Sequence, residues 1–139
     1  ETRKSSVPDV KEYVTQKLTD ERACLMGIFD KNTDTHIGNV KLEIFEDNNL
    51  RADYGILIGN TDYWGKGLGL EATKLVLNVA FKELDLESVE LGIIEQNNRA
   101  RKTFERAGFT QIKKIENYSN HGGKTYDCIL MEVNKKNNN

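Results

Sequence analysis

Residues 63–72 read YWGKGLGLEA, so that three alternating glycines lead directly into an amphipathic segment. The segment predicts a helix over residues 70–83 because its apolar residues recur with helical spacing at Ala72, Leu75, Val76, Val79 and Ala80. Glycine lacks a Cβ, so a ligand can approach its backbone closely. The start of a helix presents unpaired N–H groups at the positive end of its dipole. The stretch therefore predicts an anion site, most often one for phosphate or pyrophosphate.

Two better-known glycine motifs are excluded by single residues. A P-loop requires G-x-x-x-x-G-K-S/T, but Asn60 stands at its first glycine and Gly67 at the serine or threonine that must hold magnesium. A dinucleotide fingerprint requires G-x-G-x-x-G/A directly after a strand. Leu70 occupies its last position, and several residues separate the turn from the predicted strand that contains Ile58. These residues leave the identity of the phosphate ligand open.

The remaining pattern predicts one α+β domain over residues 1–139. Residues 6–9 form a capping box with Pro8 in the first turn, which predicts a helix whose apolar face is Val10, Tyr13, Val14 and Leu18. Strands are predicted at residues 23–29, 37–45, 52–59, 89–94, 110–116 and 124–133. A further helix over residues 97–107 is capped by Asn97 and ended by Gly108. This order predicts a mixed sheet whose first three of these strands form an antiparallel meander.

Composition narrows the class of protein. The 139 residues carry 20 basic and 22 acidic side chains, so no basic excess points to nucleic acid. No apolar run approaches the roughly 20 residues that span a bilayer, and no signal peptide is visible. Cys24 and Cys128 lack metal-type spacing and are interpreted as small apolar residues; with only His36 and His121 available, no metal site is predicted. These features predict a cytoplasmic protein.

Two segments together resemble the GNAT N-acetyltransferase superfamily. Residues 64–69 resemble its acyl-CoA signature Q/R-x-x-G-x-G/A, and YWGKG followed by Glu-Ala is similar to the RimJ/RimL-type branch, where Trp64 is usual and Leu70 replaces a common threonine. Residues 97–109, NNRARKTFERAGF, resemble the family's N-x-x-A…Y-E-x-x-G-F segment. The resemblance covers residues 37–133. It also implies that the strand and helix with which the family normally begins are missing ahead of residue 6.

The resemblance implies a mixed, mostly antiparallel sheet with helices on both faces and a V-shaped gap between two parallel strands, here residues 52–59 and 89–94. Acetyl-CoA, as cosubstrate, would bind at this gap. The resemblance assigns it backbone contacts from Ile56, Leu57 and Ile58, the turn Trp64, Gly65, Lys66, Gly67, Leu68, Gly69 and Leu70, and a side-chain contact from Asn97. Arg101 or Lys102 would reach an outer phosphate, the alternative being a solvated helix face.

The implied reaction is acetyl transfer to a primary amine, whose proton must leave while the departing thiolate gains one. A backbone N–H near Leu57 or Ile58 is the candidate oxyanion donor. Many family members place a tyrosine where this chain has Phe104, and some a glutamate where it has Gly92. Glu43 and Asp53 lie on strands that should approach the acceptor side and are the candidate bases, each also interpretable as a solvated carboxylate.

The side chains that could line the acceptor site are those of Tyr54, Tyr63 and Tyr126. Each could instead be a packing residue of the core or of the rim. Acceptors within the branch include protein N-termini, amino sugars, polyamines and small amines, and the sequence does not choose among them, nor between a monomer and a homodimer. Nucleic acid and membranes are not expected as partners. The alternative function is a non-catalytic acyl-CoA-binding sensor or interaction module of the same fold.

Overall fold

The computed structural model describes residues 9–11, 22–30, 32–59, 61–63, 65 and 67–138. The strands are β1 (Asp9–Lys11), β2 (Ala23–Asp30), β3 (Thr35–Phe45), β4 (Asn48–Ile58), β5 (Ser88–Ile94), β6 (Thr110–His121) and β7 (Lys124–Asn134). The helices are α1 (Leu68–Asn78), which continues into a π-helical turn over Val79–Glu83, and α2 (Asn98–Arg106). Short 3-10 turns cover Thr61–Tyr63 and Lys135–Asn137.

The strands form one sheet in the order β1-β2-β3-β4-β5-β7-β6. Only β4 and β5 pair in parallel, and every other neighbouring pair is antiparallel. Parallel neighbours need a long crossover, and α1 supplies it between β4 and β5. The predicted α+β fold with a mixed, mostly antiparallel sheet is confirmed.

The two parallel strands separate after a short paired stretch. Arg51, Ala52 and Asp53 of β4 pair with Ser88, Val89 and Glu90 of β5. β4 then runs on to Ile58 and β5 to Ile94 without a further pair between them, although both keep their other neighbours. The predicted V-shaped gap is confirmed, and it opens at the carboxyl ends of both strands.

Both described helices pack on one face of the sheet. On this face, alternate residues of β4 and β5 such as Ala52, Tyr54 and Val89 are almost fully buried. The Tyr54 hydroxyl lies 3.0 Å from Oγ1 of Thr73 in α1, and its ring meets Phe104 of α2 edge-on. The core therefore fixes α1 and α2 beside the gap.

The predicted N-terminal helix is wrong where the structure describes it. Asp9–Lys11 is a strand that pairs antiparallel with β2, Asp9 opposite Phe29. Pairing with an available sheet edge outweighs a local capping pattern, and the β-branched Val10 suits a strand. The remainder of that prediction, including Ser6, Pro8, Tyr13, Val14 and Leu18, lies outside the described residues. So does any helix on the second face of the sheet before β2, and the expected helices on both faces stay a prediction.

Several element bounds also differ from those predicted. β4 begins at Asn48, inside the expected turn, and β6 continues to His121 rather than ending at residue 116. α1 begins at Leu68, so Gly69 is helical. In the described part of the chain, no helix is long and apolar enough to cross a membrane.

Candidate active site

A cavity of about 550 Å³ lies where the β4–β5 gap meets α1 and α2. Its walls come from the end of β4, the described residues of the segment 63–70 and one face of α2. The volume falls within the range of small-molecule sites. Its position, at the carboxyl ends of parallel strands, is where α/β sheets commonly bind ligands.

The glycine turn forms one end of this cavity. Gly65 and Gly67 have φ angles of 77° and 78°, a left-handed conformation that other residues rarely adopt. Gly67 is the N-cap residue of α1 and supplies no side-chain cap, and the first helical hydrogen bond is from the Glu71 N–H to the Gly67 carbonyl. The N–H groups of α1 ahead of Glu71 therefore lack a helical acceptor and can bind an anion.

A close approach of α1 and α2 narrows the cavity beside this turn. A Cβ added at Gly69 would lie 3.8 Å from the Thr103 methyl group, and both residues line the cavity. Leu68 and Leu70, also predicted for the cofactor, line it as well. Trp64 and Lys66 lie outside the described residues. The structure thus brings together the five described residues of the predicted glycine turn.

The end of β4 forms the opposite wall. Ile56, Leu57 and Ile58 all line the cavity, and Leu57 is 67% exposed. One edge of this segment pairs with β3, whereas the edge that faces β5 has no strand partner among the described residues. An unpaired strand edge can hydrogen-bond an extended ligand.

α2 presents a different set of side chains from the one predicted. Asn97, the N-cap residue, lines the cavity, and its Oδ1 accepts a hydrogen bond from the Ala100 N–H at 3.1 Å. Arg101 and Lys102 do not line it, and the Arg101 guanidinium donates to the Glu95 carbonyl at 3.4 Å. Helical spacing explains the difference, because residues 99, 103 and 106 lie on one face of α2, whereas residues 101 and 102 lie on other faces.

Arg99 and Arg106 are the cationic residues of the cavity that sequence reasoning missed. Both line it from the same face of α2, together with Thr103. The sequence carried only part of the signal: with Ala100 and Phe104 on the buried face, the helical repeat places positions 99 and 106 on one flank of that face and position 101 on the other, without saying which flank faces α1.

The three candidate tyrosines occupy three different environments. Tyr63 lines the cavity and donates to Oδ2 of Asp30 at 2.5 Å, which raises the pKa of the phenol and lowers that of the carboxyl. Tyr54 is 3% exposed, and burial raises its pKa; it belongs to the core rather than to the cavity wall. Tyr126 lies on β7 opposite Ser119, away from the cavity.

The candidate bases lie together on the second face of the sheet. Glu43 and Asp53 are direct cross-strand neighbours, and neither lines the cavity. Asp53 is the last residue of β4 that pairs with β5, so it sits at the apex of the gap. Burial, reinforced by the negative charge of Glu90, raises the pKa of the Asp53 carboxyl. A raised pKa is what a carboxylate needs to accept a proton near neutral pH.

Basic groups compensate part of the acidic charge on this face. Lys41 pairs with Glu43 at 3.1 Å. Arg51 contacts Glu90 and lies 3.6 Å from Glu132. Across the described residues, no group of three or more His, Cys, Asp or Glu side chains is arranged to hold a metal ion.

Phe104 occupies the position at which many family members place a tyrosine. Its ring is 7% exposed and packs edge-on against Tyr54 and Phe109. It lines the cavity but has no proton to donate. Protonation of a leaving group therefore has to come from another group or from water.

Comparison with known proteins agrees with this geometry. The family model described as "Acetyltransferase (GNAT) domain" matches residues 2–110. The chain is 24% identical over 132 residues to the uncharacterized N-acetyltransferase p20 of Bacillus licheniformis, covering 95% of this chain and 74% of that protein. It is 33% identical over 101 residues to the probable N-acetyltransferase YjcK of Bacillus subtilis (strain 168), covering 72% of this chain and 55% of that protein.

Solved structures share the fold. A chimera of the spermidine N-acetyltransferase SpeG from Vibrio cholerae with hSSAT superposes with a TM-score of 0.78 at 22% identity, covering 86% of this chain and 70% of that one. The Vibrio cholerae spermidine N-acetyltransferase in complex with CoA and spermine gives 0.77 at 20% identity, covering 84% and 68%. The glycine turn, the gap between β4 and β5 and the match over residues 2–110 make this chain a member of the GNAT acetyltransferase family, with acetyl-CoA as its cosubstrate.

Proposed function

We propose that this protein transfers the acetyl group of acetyl-CoA to a primary amine of a small cationic acceptor, with polyamines the first class to test. One observation carries the proposal: a single cavity joins the N-terminus of α1 to the opening between β4 and β5. Such a cavity can hold a phosphate group at one end and expose a thioester at the other.

The residues of the cavity suit an extended ligand with an anionic end. The unpaired edge of β4 at Ile56–Ile58 offers backbone groups to the pantetheine arm, as an added strand would. The N–H groups at the start of α1 are available to the pyrophosphate. The side-chain amide of Asn97 can donate to the pantetheine while its oxygen caps α2. Bound acetyl-CoA supplies an activated acetyl group, which the gap would present to the amine.

The chain's own groups account for two requirements of the reaction. A backbone N–H near Leu57 or Ile58, at the end of β4 beside the gap, would stabilise a developing oxyanion. Asp53 is the stronger candidate to accept the amine proton, directly or through water, because its pKa is raised and it lies at the apex of the gap. Glu43, its cross-strand neighbour, is the second candidate.

Two observations favour a small cationic acceptor. The second face of the sheet carries Glu43, Asp53, Glu90 and Glu132 near the apex of the gap, against Lys41 and Arg51. A cationic amine would be attracted to a face with this excess of carboxylates. Structurally similar proteins include a spermidine N-acetyltransferase with spermine bound. The proposal also places the protein in the RimJ/RimL-type branch, because residues 63–72 resemble that branch.

The test is release of free CoA thiol from acetyl-CoA with a panel of amines. Spermidine and spermine represent the proposed class, glucosamine and a peptide with a free N-terminus represent the other acceptors of the branch, and a neutral amide is the blank. We expect turnover with the polyamines and none with the blank. Turnover only with glucosamine or the peptide would reject the acceptor class, and cofactor binding without release for any amine would favour an acyl-CoA sensor instead.

A further inference from the structure

A side-chain hydrogen bond connects the cavity to the turn between β2 and β3. The ring of Tyr63 lines the cavity, and its hydroxyl donates to Oδ2 of Asp30, the last residue of β2, at 2.5 Å. A hydroxyl–carboxylate hydrogen bond of this length is charge-assisted and roughly twice as strong as one between neutral groups. Tyr63 stands two residues before Gly65, so this bond anchors the chain immediately ahead of the glycine turn.

Asp30 is itself held in a fixed position. Its side chain belongs to the buried set, with 6% of the residue exposed, and a buried charge is costly unless hydrogen bonds satisfy it. Oδ1 accepts from the Asn32 N–H at 2.9 Å, and the backbone carbonyl accepts from the Asp34 N–H at 2.7 Å. The turn between β2 and β3 therefore closes around Asp30, which leaves Oδ2 as the acceptor for Tyr63.

The same hairpin also supports the opposite wall of the cavity. β3 pairs with β4 as far as its last residue, Ile58. A Cβ added at Gly38 of β3 would overlap the carbonyl oxygen of Leu57, so glycine is needed for this close approach of the two strands. The β2–β3 hairpin thus contacts the end of β4 through its backbone and the glycine turn through Asp30 and Tyr63.

We infer that Asp30 and Tyr63 are a positioning pair, which holds the glycine turn at the distance from the end of β4 that acetyl-CoA requires. Gly65 and Gly67 give the turn a backbone freedom that is lost when its N–H groups bind a ligand, at a cost in affinity. An anchor directly ahead of these glycines removes part of that freedom before the ligand arrives. The inference rests on acetyl-CoA occupying the cavity as proposed above.

The experiment is a double-mutant cycle in which the affinity for acetyl-CoA is measured by isothermal titration calorimetry. The proteins are the parent, Tyr63→Phe, Asp30→Ala and the variant that carries both substitutions. Phenylalanine keeps the ring in the cavity wall and removes only the hydroxyl. We expect each single variant to weaken binding by about fivefold, and the double variant to weaken it no further, because both substitutions remove the same bond.

Three further variants serve as the rescue and the controls. Asp30→Asn should keep most of the parent's affinity, because its amide oxygen can accept from the Asn32 N–H while its amide nitrogen donates to the Tyr63 hydroxyl. Tyr118→Phe removes an exposed hydroxyl on β6, and Asp47→Ala removes a carboxylate from the exposed turn between β3 and β4. Neither control should change the affinity.

Several results would overturn the positioning role. Weaker binding in Tyr63→Phe with unchanged binding in Asp30→Ala would show that the hydroxyl acts on the ligand directly. Lower melting temperatures with unchanged affinity would make the pair purely structural, and equal behaviour of Asp30→Asn and Asp30→Ala would assign the effect to charge.

The parent protein separates failure of this inference from failure of the proposed cosubstrate site. A parent that does not bind acetyl-CoA would refute the site and the role of the pair together. A parent that binds acetyl-CoA, with additive losses or no losses in the cycle, would refute only the role of Asp30 and Tyr63.

Discussion

Gly67 is required both for the backbone conformation of the turn and for ligand access. Its φ of 78° is strained for any side chain, and a Cβ there would lie more than 4 Å from the described residues other than its chain neighbours. A substituent therefore projects into open space at the cavity end where the anion would bind. The residue links backbone geometry directly to ligand access.

Gly67→Ala should weaken acetyl-CoA binding by roughly tenfold or more, because even about 1.4 kcal/mol of misplacement has that effect. Calorimetric titration measures it. Gly122→Ala is the matched control, since Gly122 also has a positive φ, of 60°, and open space at its Cβ, but lies in the β6–β7 turn. Both variants should lose about 1 kcal/mol of unfolding free energy to backbone strain. Equal acetyl-CoA affinity in the two variants would remove the glycine turn from the binding site.

Asp53 should cost the fold some stability when it is ionised. Because burial raises its pKa above the unfolded value, the folded protein is stabilised as the pH falls toward that raised pKa, and this stabilisation is lost as the pH rises through it. Asp53→Asn should therefore raise the melting temperature at pH 7, and this gain should shrink as the pH falls through the raised pKa and be absent below about pH 4, near the ordinary pKa of an aspartate.

Melting curves at several pH values test this, and Asp47→Asn, in the exposed turn between β3 and β4, is the control for loss of one negative charge. The same Asp53 variant should also lower kcat for acetyl transfer if the carboxylate is the base. A gain in stability with kcat unchanged would leave Asp53 a structural residue and transfer the role to Glu43 or water.

Sequence reasoning was strongest at residues whose role is local. The glycine spacing at 65, 67 and 69 located the turn, since backbone freedom is a property of the residue type. Arg99 and Arg106 were missed because choosing between them and Arg101 or Lys102 requires the register of α2 against α1. The contact of Tyr63 with Asp30 joins residues 33 positions apart, which no local pattern reveals.

At the scale of elements, α2 depends on one residue that has two roles. The Oδ1 atom of Asn97 caps the helix by accepting from the Ala100 N–H. Its amide nitrogen is not used in that bond and is the group proposed to contact the pantetheine. The two roles reside on different atoms, so different substitutions can separate them.

Asn97→Ser should preserve the cap, because serine is an equally good N-cap residue, and should weaken acetyl-CoA binding by removing the amide. Asn97→Ala should lose both, including about 1 kcal/mol of unfolding free energy. Urea unfolding and calorimetric titration of the two variants give the two readouts. Unchanged affinity in a stable Asn97→Ser protein would show that the amide does not contact the ligand.

Some secondary-structure elements differ from what their local sequence pattern predicts. Residues 9–11 carry a helix-start signal but form β1, because the exposed edge of β2 offers a strand partner. Conversely, the change from alternating to helical spacing at the glycine turn predicted the helix α1, whereas the parallel pair that it connects was expected from the family resemblance. The gap was expected from family resemblance rather than from any residue pattern, since a strand's divergence is set by its neighbours.

At the scale of the whole molecule, the sheet consists of two antiparallel groups that meet at β4 and β5. Three residue pairs join β4 to β5, and beyond them the two groups separate. The same divergence that ends the pairing opens the cavity, while α1 and α2 close it on the core face. The short parallel pair therefore determines both the topology of the sheet and the position of the cavity.

The most direct test of the account is the melting temperature of the parent protein with acetyl-CoA, NAD and ATP added separately. A ligand at about 100 times its dissociation constant stabilises the folded state by roughly 2.7 kcal/mol, a shift of several degrees for a domain of this size. We predict this shift with acetyl-CoA and none of comparable size with NAD or ATP at the same concentration. No shift with acetyl-CoA, or an equal shift with ATP, would contradict the assignment of the cavity to acetyl-CoA.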